Sequence, residues 1–187
     1  MTAIRDATKL QGAAPPRRLF FGLWPTPDVV PDIMHCVRAA HHVCGGRMMQ
    51  ADTLHMTLAF LGHVTQERTR ELIQAAQAWT VDTGRITLRR TGCFRGPGVV
   101  WAGPDPDQPE WLYGVYDRLW DQLVGLGWTR PETPFRPHVS LLRNAGPGQD
   151  IPCPPISWVS GAAVLVASTP QTDGSYYQVL ASVAAAP

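Results

Sequence analysis

His55-Met56-Thr57-Leu58 reads imidazole, apolar, hydroxyl, apolar, and the same order returns at His138-Val139-Ser140-Leu141. In an extended strand, residues i and i+2 share a face. Each tetrapeptide therefore offers one imidazole and one hydroxyl on one side and apolar side chains on the other. Two such strands laid side by side surround one point with two imidazoles and two hydroxyls. An unperturbed imidazole titrates near pH ~6.5, so one ring can take a proton while the other gives one. Hydroxyls beside them can donate to a developing oxyanion. That is metal-free equipment for acid–base cleavage of a phosphate ester.

Working outward, the apolar run Arg18 to Trp24, stopped by Pro25, reads as a first strand. Pro27 suits the first turn of a helix running to about Val43 and closed by Gly45-Gly46. Leu54 to Leu61 is the first motif strand, ended by Gly62, and Thr65 is the N-cap of a helix reaching Trp79. Arg85 to Arg90 alternates as a half-buried strand, and Gly98 to Ala102 is a further short one. The clearest helix spans 110–125, where Trp111, Leu112, Val115, Tyr116, Leu119, Trp120, Leu123 and Val124 form an apolar stripe at helical period. The second motif strand runs from Pro137 to Arg143. Late strands fit Ile156–Ser168 and Ser175–Leu180, with a turn at Asp173-Gly174 and a frayed tail after Leu180. The alternation of strands and helices in two comparable halves, one motif in each, predicts a two-lobed α+β domain of mainly antiparallel sheets. Its halves are related by a pseudo-twofold, with helices on the outer faces.

The chain of 187 residues is long enough for one substantial core. We expect a flexible extension over 1–16 and a single domain over 17–183. A formal net charge of +1 gives no global sign of nucleic-acid binding, so any such contact is local. Lys9 is the only lysine, and guanidinium suits bidentate phosphate contacts. Cys36, Cys44, Cys93 and Cys153 show no zinc-type spacing and read as reduced thiols of a cytoplasmic, monomeric protein. No apolar stretch approaches the ~20 residues of a membrane span. GxGxxG and P-loop spacings are absent, which removes the usual dinucleotide and NTP sites.

Supporting residues follow from spacing. Arg136 stands two before His138 and shares its face unless Pro137 breaks the register. Arg143 stands five after it, so strict alternation turns it away unless a bulge intervenes. Both are candidates for phosphate contact, Arg143 the stronger. Phe60, Trp24 and Trp101 are candidates for stacking a base. Phe60, five residues after His55, is expected to face away from it. His35, His41, His42 and His63 have no comparable setting, and Arg85, Arg89 and Arg90 read as a solvated strand face.

These segments together resemble the 2H phosphoesterases, specifically the RNA 2′,3′-cyclic phosphodiesterases, also called 2′-5′ RNA ligases. The likeness is carried by Arg18-Leu19-Phe20-Phe21-Gly22-Leu23, Asp52 through Gly62, Val99 through Gly103, and Phe135 through Arg143. It implies metal-independent hydrolysis of an RNA or nucleoside 2′,3′-cyclic phosphate to the 2′-phosphate, without a cofactor and with RNA ends or cyclic nucleotides as substrate. Reversible 2′-5′ ligation would accompany it. It also implies that His55 protonates the leaving O3′, that His138 activates water, and that Thr57 and Ser140 hold the phosphate. Ser140 departs from the usual threonine, and Val99 stands where an arginine is common. The alternatives are a 2H enzyme for ADP-ribose 1″,2″-cyclic phosphate and a nucleotide-binding module without turnover. A metal protein using both histidines has only Asp52 as a nearby carboxylate.

Overall fold

Met56 and Val139, the apolar residues inside the two tetrapeptides, pair directly across antiparallel strands in a computed structural model of the chain. The structure describes residues 16–106, 109–146, 151–172 and 174–186. The strands are β1 (Arg17–Leu23), β2 (Arg47–Met48), β3 (Met56–Val64), β4 (Thr80–Val81), β5 (Arg85–Leu88), β6 (Arg90–Phe94), β7 (Val99–Gly103), β8 (Val139–Arg143), β9 (Ile156–Val159), β10 (Ala163–Gln171) and β11 (Gly174–Ala185). The helices are α1 (Val30–Cys44), α2 (Gln66–Ala78) and α3 (Glu110–Gly125). Among the described residues one sheet runs β4-β11-β10-β1-β3-β8-β7-β6, with β2 also on β8, and β5 and β9 pair separately.

The two halves repeat a strand–helix–strand unit, β1-α1-β3 and β7-α3-β8, whose motif strands meet at the centre of the sheet. That meeting is a single residue pair. Beyond it β8 takes β2 as its neighbour while β3 continues along β1, so the sheet parts on either side of Met56 and Val139. Helix α1 packs on β8 and α3 on β3, so each half's helix covers the other half's motif strand. Ile33, Val37, Leu112, Leu119, Met56, Leu58, Val139 and Leu141 join one buried cluster beneath the sheet. Every apolar position of the two tetrapeptides is thereby used to bury area, at about 25 cal/mol per Å². The histidine face remains open.

Several expectations need correction. Helix α1 starts at Val30 with Pro31 in its first turn, not near Pro27. Thr65 does cap α2, accepting from the Arg68 backbone N–H at 3.3 Å. Helix α3 keeps its bounds, but Val124 is exposed rather than part of the buried stripe. Strand β3 does not stop at Gly62; it runs on to Val64 with Gly62 at φ 69°. The long strand expected over Ile156–Ser168 is two, β9 and β10, on different sheets. The C-terminus does not fray after Leu180: Ala184 and Ala185 pair in parallel with β4, and Val183 is fully buried. A pairing strand from a distant part of the chain supplies the order that local composition did not indicate. Cys36 and Cys153 form a disulfide across 117 positions, while Cys44 and Cys93 are free. Tertiary proximity decided this, because no local spacing marks the pair. The expected extension, apart from Pro16, lies outside the described residues.

Candidate active site

Each histidine stands one residue ahead of its strand and is fixed by the same local contact. His55 Nδ1 donates to the carbonyl of Thr53 at 2.7 Å, and His138 Nδ1 donates to the carbonyl of Arg136 at 2.7 Å. A carbonyl can only accept, so Nδ1 holds the hydrogen in both rings and Nε2 carries the lone pair. His55 Nε2 accepts from the Thr57 hydroxyl at 3.0 Å. The direct Met56–Val139 pair, each partner one residue after its histidine, brings the two motifs to one seam of the sheet. Thr57 and His138 line one recess there.

His55 is only 9% exposed. Phe20 lies 4.7 Å from its ring centre, Trp24 stacks nearly parallel at 5.1 Å, and Tyr177 meets it edge-on at 5.3 Å. A Cβ at Gly22 would come within 3.2 Å of Trp24 and 3.4 Å of His55, so the absent side chain leaves room for this stack. Burial drives the His55 pKa down to about 4; the Thr53 carbonyl opposes this, and Arg143 and His138 add to it. Burial also lowers His138, with Arg136's carbonyl opposing and Arg143 reinforcing. Both shifts favour the neutral ring.

The main cleft, about 320 Å³, is lined by His55, Thr57, Phe60, Arg143, Arg18 and Arg47, with Tyr177 and the β10–β11 hairpin on one wall. His138 opens instead on an adjoining aromatic groove of about 420 Å³ with Phe94, Trp101, Tyr113, Phe135 and Arg136. Thr57 and His138 share a recess, so the two cavities meet at Thr57. Ser140 is half-buried opposite Trp101 and lies outside the main cleft's lining. Arg136 shares His138's groove and does not reach the main cleft. Trp24 turns one face to His55, and Trp101 lies over Gly92, where a Cβ would meet it at 2.3 Å.

Phe60 corrects the expectation from alternation: it is 54% exposed and lines the cleft with His55. The cause is a bulge. Phe21 pairs Ala59 while Gly22 pairs Thr57, which leaves Leu58 as an extra residue. The second motif repeats it: Val100 pairs Leu142 while Trp101 pairs Ser140, which leaves Leu141 extra. The bulge swings Arg143 onto the face of the histidines. Phe60 and Arg143 thus occupy equivalent places, each five residues after its histidine. A trace was readable: Leu58-Ala59 and Leu141-Leu142 are consecutive buried apolar residues, which strict alternation does not produce. Arg18, Phe20, Arg47 and Tyr177 were not foreseen. Arg18 and Phe20 share a strand face, but only the β1–β3 pairing shows which site they meet.

A family model described as LigT like Phosphoesterase matches residues 24–101. An RNA 2′,3′-cyclic phosphodiesterase of Escherichia coli (strain K12) is 35% identical over 144 residues, 76% of this chain and 81% of that protein. The chain belongs to the LigT-like phosphoesterases. Another relative of that name, from Thermus thermophilus, is 27% identical over 87% of each chain. The crystal structure of E. coli LigT complexed with 3′-AMP superposes with a TM-score of 0.77 at 30% identity, covering 89% of this chain and 97% of that one. This LigT-like phosphoesterase therefore has the α+β fold that its two motifs predicted. Among the described residues no group of three or more His, Cys, Asp or Glu side chains is placed to hold a metal. No helix among them is long and apolar enough to cross a membrane.

Proposed function

We propose that this chain hydrolyses the 2′,3′-cyclic phosphate of RNA ends or nucleosides to the 2′-phosphate, using His55 and His138 as the acid–base pair. The observation that carries the reading is the matched locking of both imidazoles, each with Nδ1–H on the carbonyl two residues before it and Nε2 left for chemistry. His138, the less buried ring, accepts a proton from water through Nε2 as the oxygen attacks phosphorus. His55, protonated when the anionic phosphate enters, passes its proton to O3′ as the P–O3′ bond breaks. The P–O2′ bond is kept. Arg143 and the hydroxyls of Thr57 and Ser140 meet the charge that builds on the non-bridging oxygens. With a 5′-hydroxyl in place of water as the nucleophile, the same pair forms a 2′-5′ linkage as the P–O3′ bond breaks, and the reverse step cleaves it. The relatives' activity and the Escherichia coli complex with 3′-AMP support a nucleotide substrate.

The test is turnover of cytidine 2′,3′-cyclic phosphate in EDTA. Activity should persist in the wild type and fall about 10²–10⁴-fold in His55→Ala and in His138→Ala. Full activity in either variant sinks the assignment. Faster turnover of ADP-ribose 1″,2″-cyclic phosphate would move the substrate, and binding without hydrolysis would leave a nucleotide-binding module.

A further inference from the structure

His55 and His138 open on different cavities, the first on the main cleft and the second on the aromatic groove beside it. Attacking and leaving oxygens stand roughly in line across phosphorus. The leaving O3′ and the retained O2′ belong to one ribose, so that ribose lies on the side of His55, in the main cleft with Arg143. The nucleophile then enters from the side of His138. A water molecule takes up about 30 Å³ in the liquid. The groove beside His138 has about 420 Å³, within the range of a small-molecule site. We infer, on the functional reading above, that this groove binds a second nucleoside, the one whose 5′-hydroxyl takes the place of water.

The lining fits a base. On β6, Arg90, Gly92 and Phe94 alternate onto one face, and Arg90 and Phe94 line the groove. Gly92 pairs with Trp101 on β7, and Trp101 pairs with Ser140 on the second motif strand. This row runs from the floor of the groove to the motif's hydroxyl. With no side chain at Gly92, where a Cβ would meet the indole at 2.3 Å, Trp101 lies against β6. Its ring and that of Phe94 stand 5.5 Å apart and 31° from coplanar, which makes one platform of the two. Phe94 also meets the His138 ring edge-on at 5.0 Å, so the platform begins beside the ring that takes the proton. Phe135 forms another wall, held by stacking at 4.1 Å on Tyr116 of α3. Every base has a π-face, so such a platform accepts any nucleoside. Asp105 stands with Arg90 and Arg136 in the lining, a mixture of charges that suits an uncharged nucleoside better than a second phosphate. In the joining step the 5′-oxygen bonds to phosphorus and its proton passes to His138 Nε2. The P–O3′ bond breaks and O3′ takes the proton of His55. The reverse step returns O3′ to phosphorus and releases the 5′-hydroxyl nucleoside into the groove.

The experiment gives the full chain cytidine 2′,3′-cyclic phosphate with adenosine as a competing nucleophile. It measures how the product divides between cytidine 2′-phosphate and the 2′-5′ dinucleotide. Both routes use the same histidines, so the ratio is insensitive to damage at the acid–base pair. Dinucleotide should form and saturate with adenosine. Phe94→Ala should shift the ratio at least about tenfold toward water, the scale of one lost base stack, and Phe94→Tyr should keep it. Cleavage of that dinucleotide should lose at least about tenfold more kcat/KM in Phe94→Ala than hydrolysis of the cyclic phosphate loses. An unchanged ratio, or a shift produced by Phe60→Ala in the main cleft instead, overturns the nucleoside site and leaves the phosphodiesterase in place. A wild type that hydrolyses the cyclic phosphate yet neither joins nor cleaves does the same. Calorimetry in the His55→Ala background reads the groove without turnover. The dinucleotide should bind more tightly than cytidine 2′-phosphate, and adding Phe94→Ala should remove the difference. If the wild type hydrolyses nothing, that binding result sinks the activity and leaves the nucleoside site standing.

Discussion

His55 is where burial and chemistry pull hardest against each other. A ring enclosed by Phe20, Trp24 and Tyr177 favours the neutral form, yet the reaction asks it to give a proton. The anionic substrate resolves the conflict, because a charge placed beside the ring raises its pKa when it is needed. The fold carries the signature of that tension. The folded pKa of about 4 lies below the ordinary 6.5, so the unfolded chain binds the extra proton between those values. Stability is then fully present above pH ~6.5 and is lost as pH falls toward ~4, by on the order of 3 kcal/mol. Urea midpoints compared at pH 7.5 and 4.5 should show that loss. His55→Gln should remove most of it, leaving the smaller contribution of His138. An unchanged acid loss in His55→Gln would place the titration elsewhere.

Strand elements decide which side chains reach the phosphate. The extra residue Leu141 lets β8 bury both Leu141 and Leu142 and still present Arg143 to the site. Exchanging the two neighbours, Leu142→Arg with Arg143→Leu, should put the guanidinium in the core and lower the unfolding midpoint sharply, since an unpaired buried charge costs about 3–5 kcal/mol. Arg143→Leu alone should keep the fold and lose hydrolysis. An exchange variant that is stable and active would show that the bulge does not aim the arginine. The companion bulge at Leu58 acts on Phe60 in the same way, and Phe60's exposure is its visible result. The sequence carried the signs of both bulges as doubled apolar residues, but those doublets equally fit a fully buried strand.

At the scale of the molecule, one disulfide ties α1 to the segment before β9. Cys36 and Cys153 enclose 117 positions, and neither lines the main cleft. Closing a loop of that length stabilises a fold by about 2–5 kcal/mol, chiefly by restricting the unfolded chain. Dithiothreitol, or Cys153→Ser, should lower the denaturation midpoint accordingly, while turnover per folded molecule stays unchanged. A midpoint insensitive to both would show that the pair does not cross-link in solution. The sheet order adds a second long-range constraint. Strand β11 closes back on β4, so the C-terminal residues are part of the core rather than a tail.

The motifs themselves were legible because their chemistry is local. A histidine and a hydroxyl two apart share a strand face, and two copies in two halves predict the paired centre and the α+β class without any tertiary information. Helix α3 was legible for the same reason, since its stripe is written in its own period. What only the tertiary structure decided lies between segments. The single Met56–Val139 pair brings the two motifs to one seam, where Thr57 and His138 line one recess. The bulges turn Phe60 and Arg143 toward the site, and the pairing of β1, β2 and β11 around them gathers Arg18, Arg47 and Tyr177. Periodicity records which side of a strand a residue takes. Register and strand order, set by packing across the whole sheet, determine what that side meets.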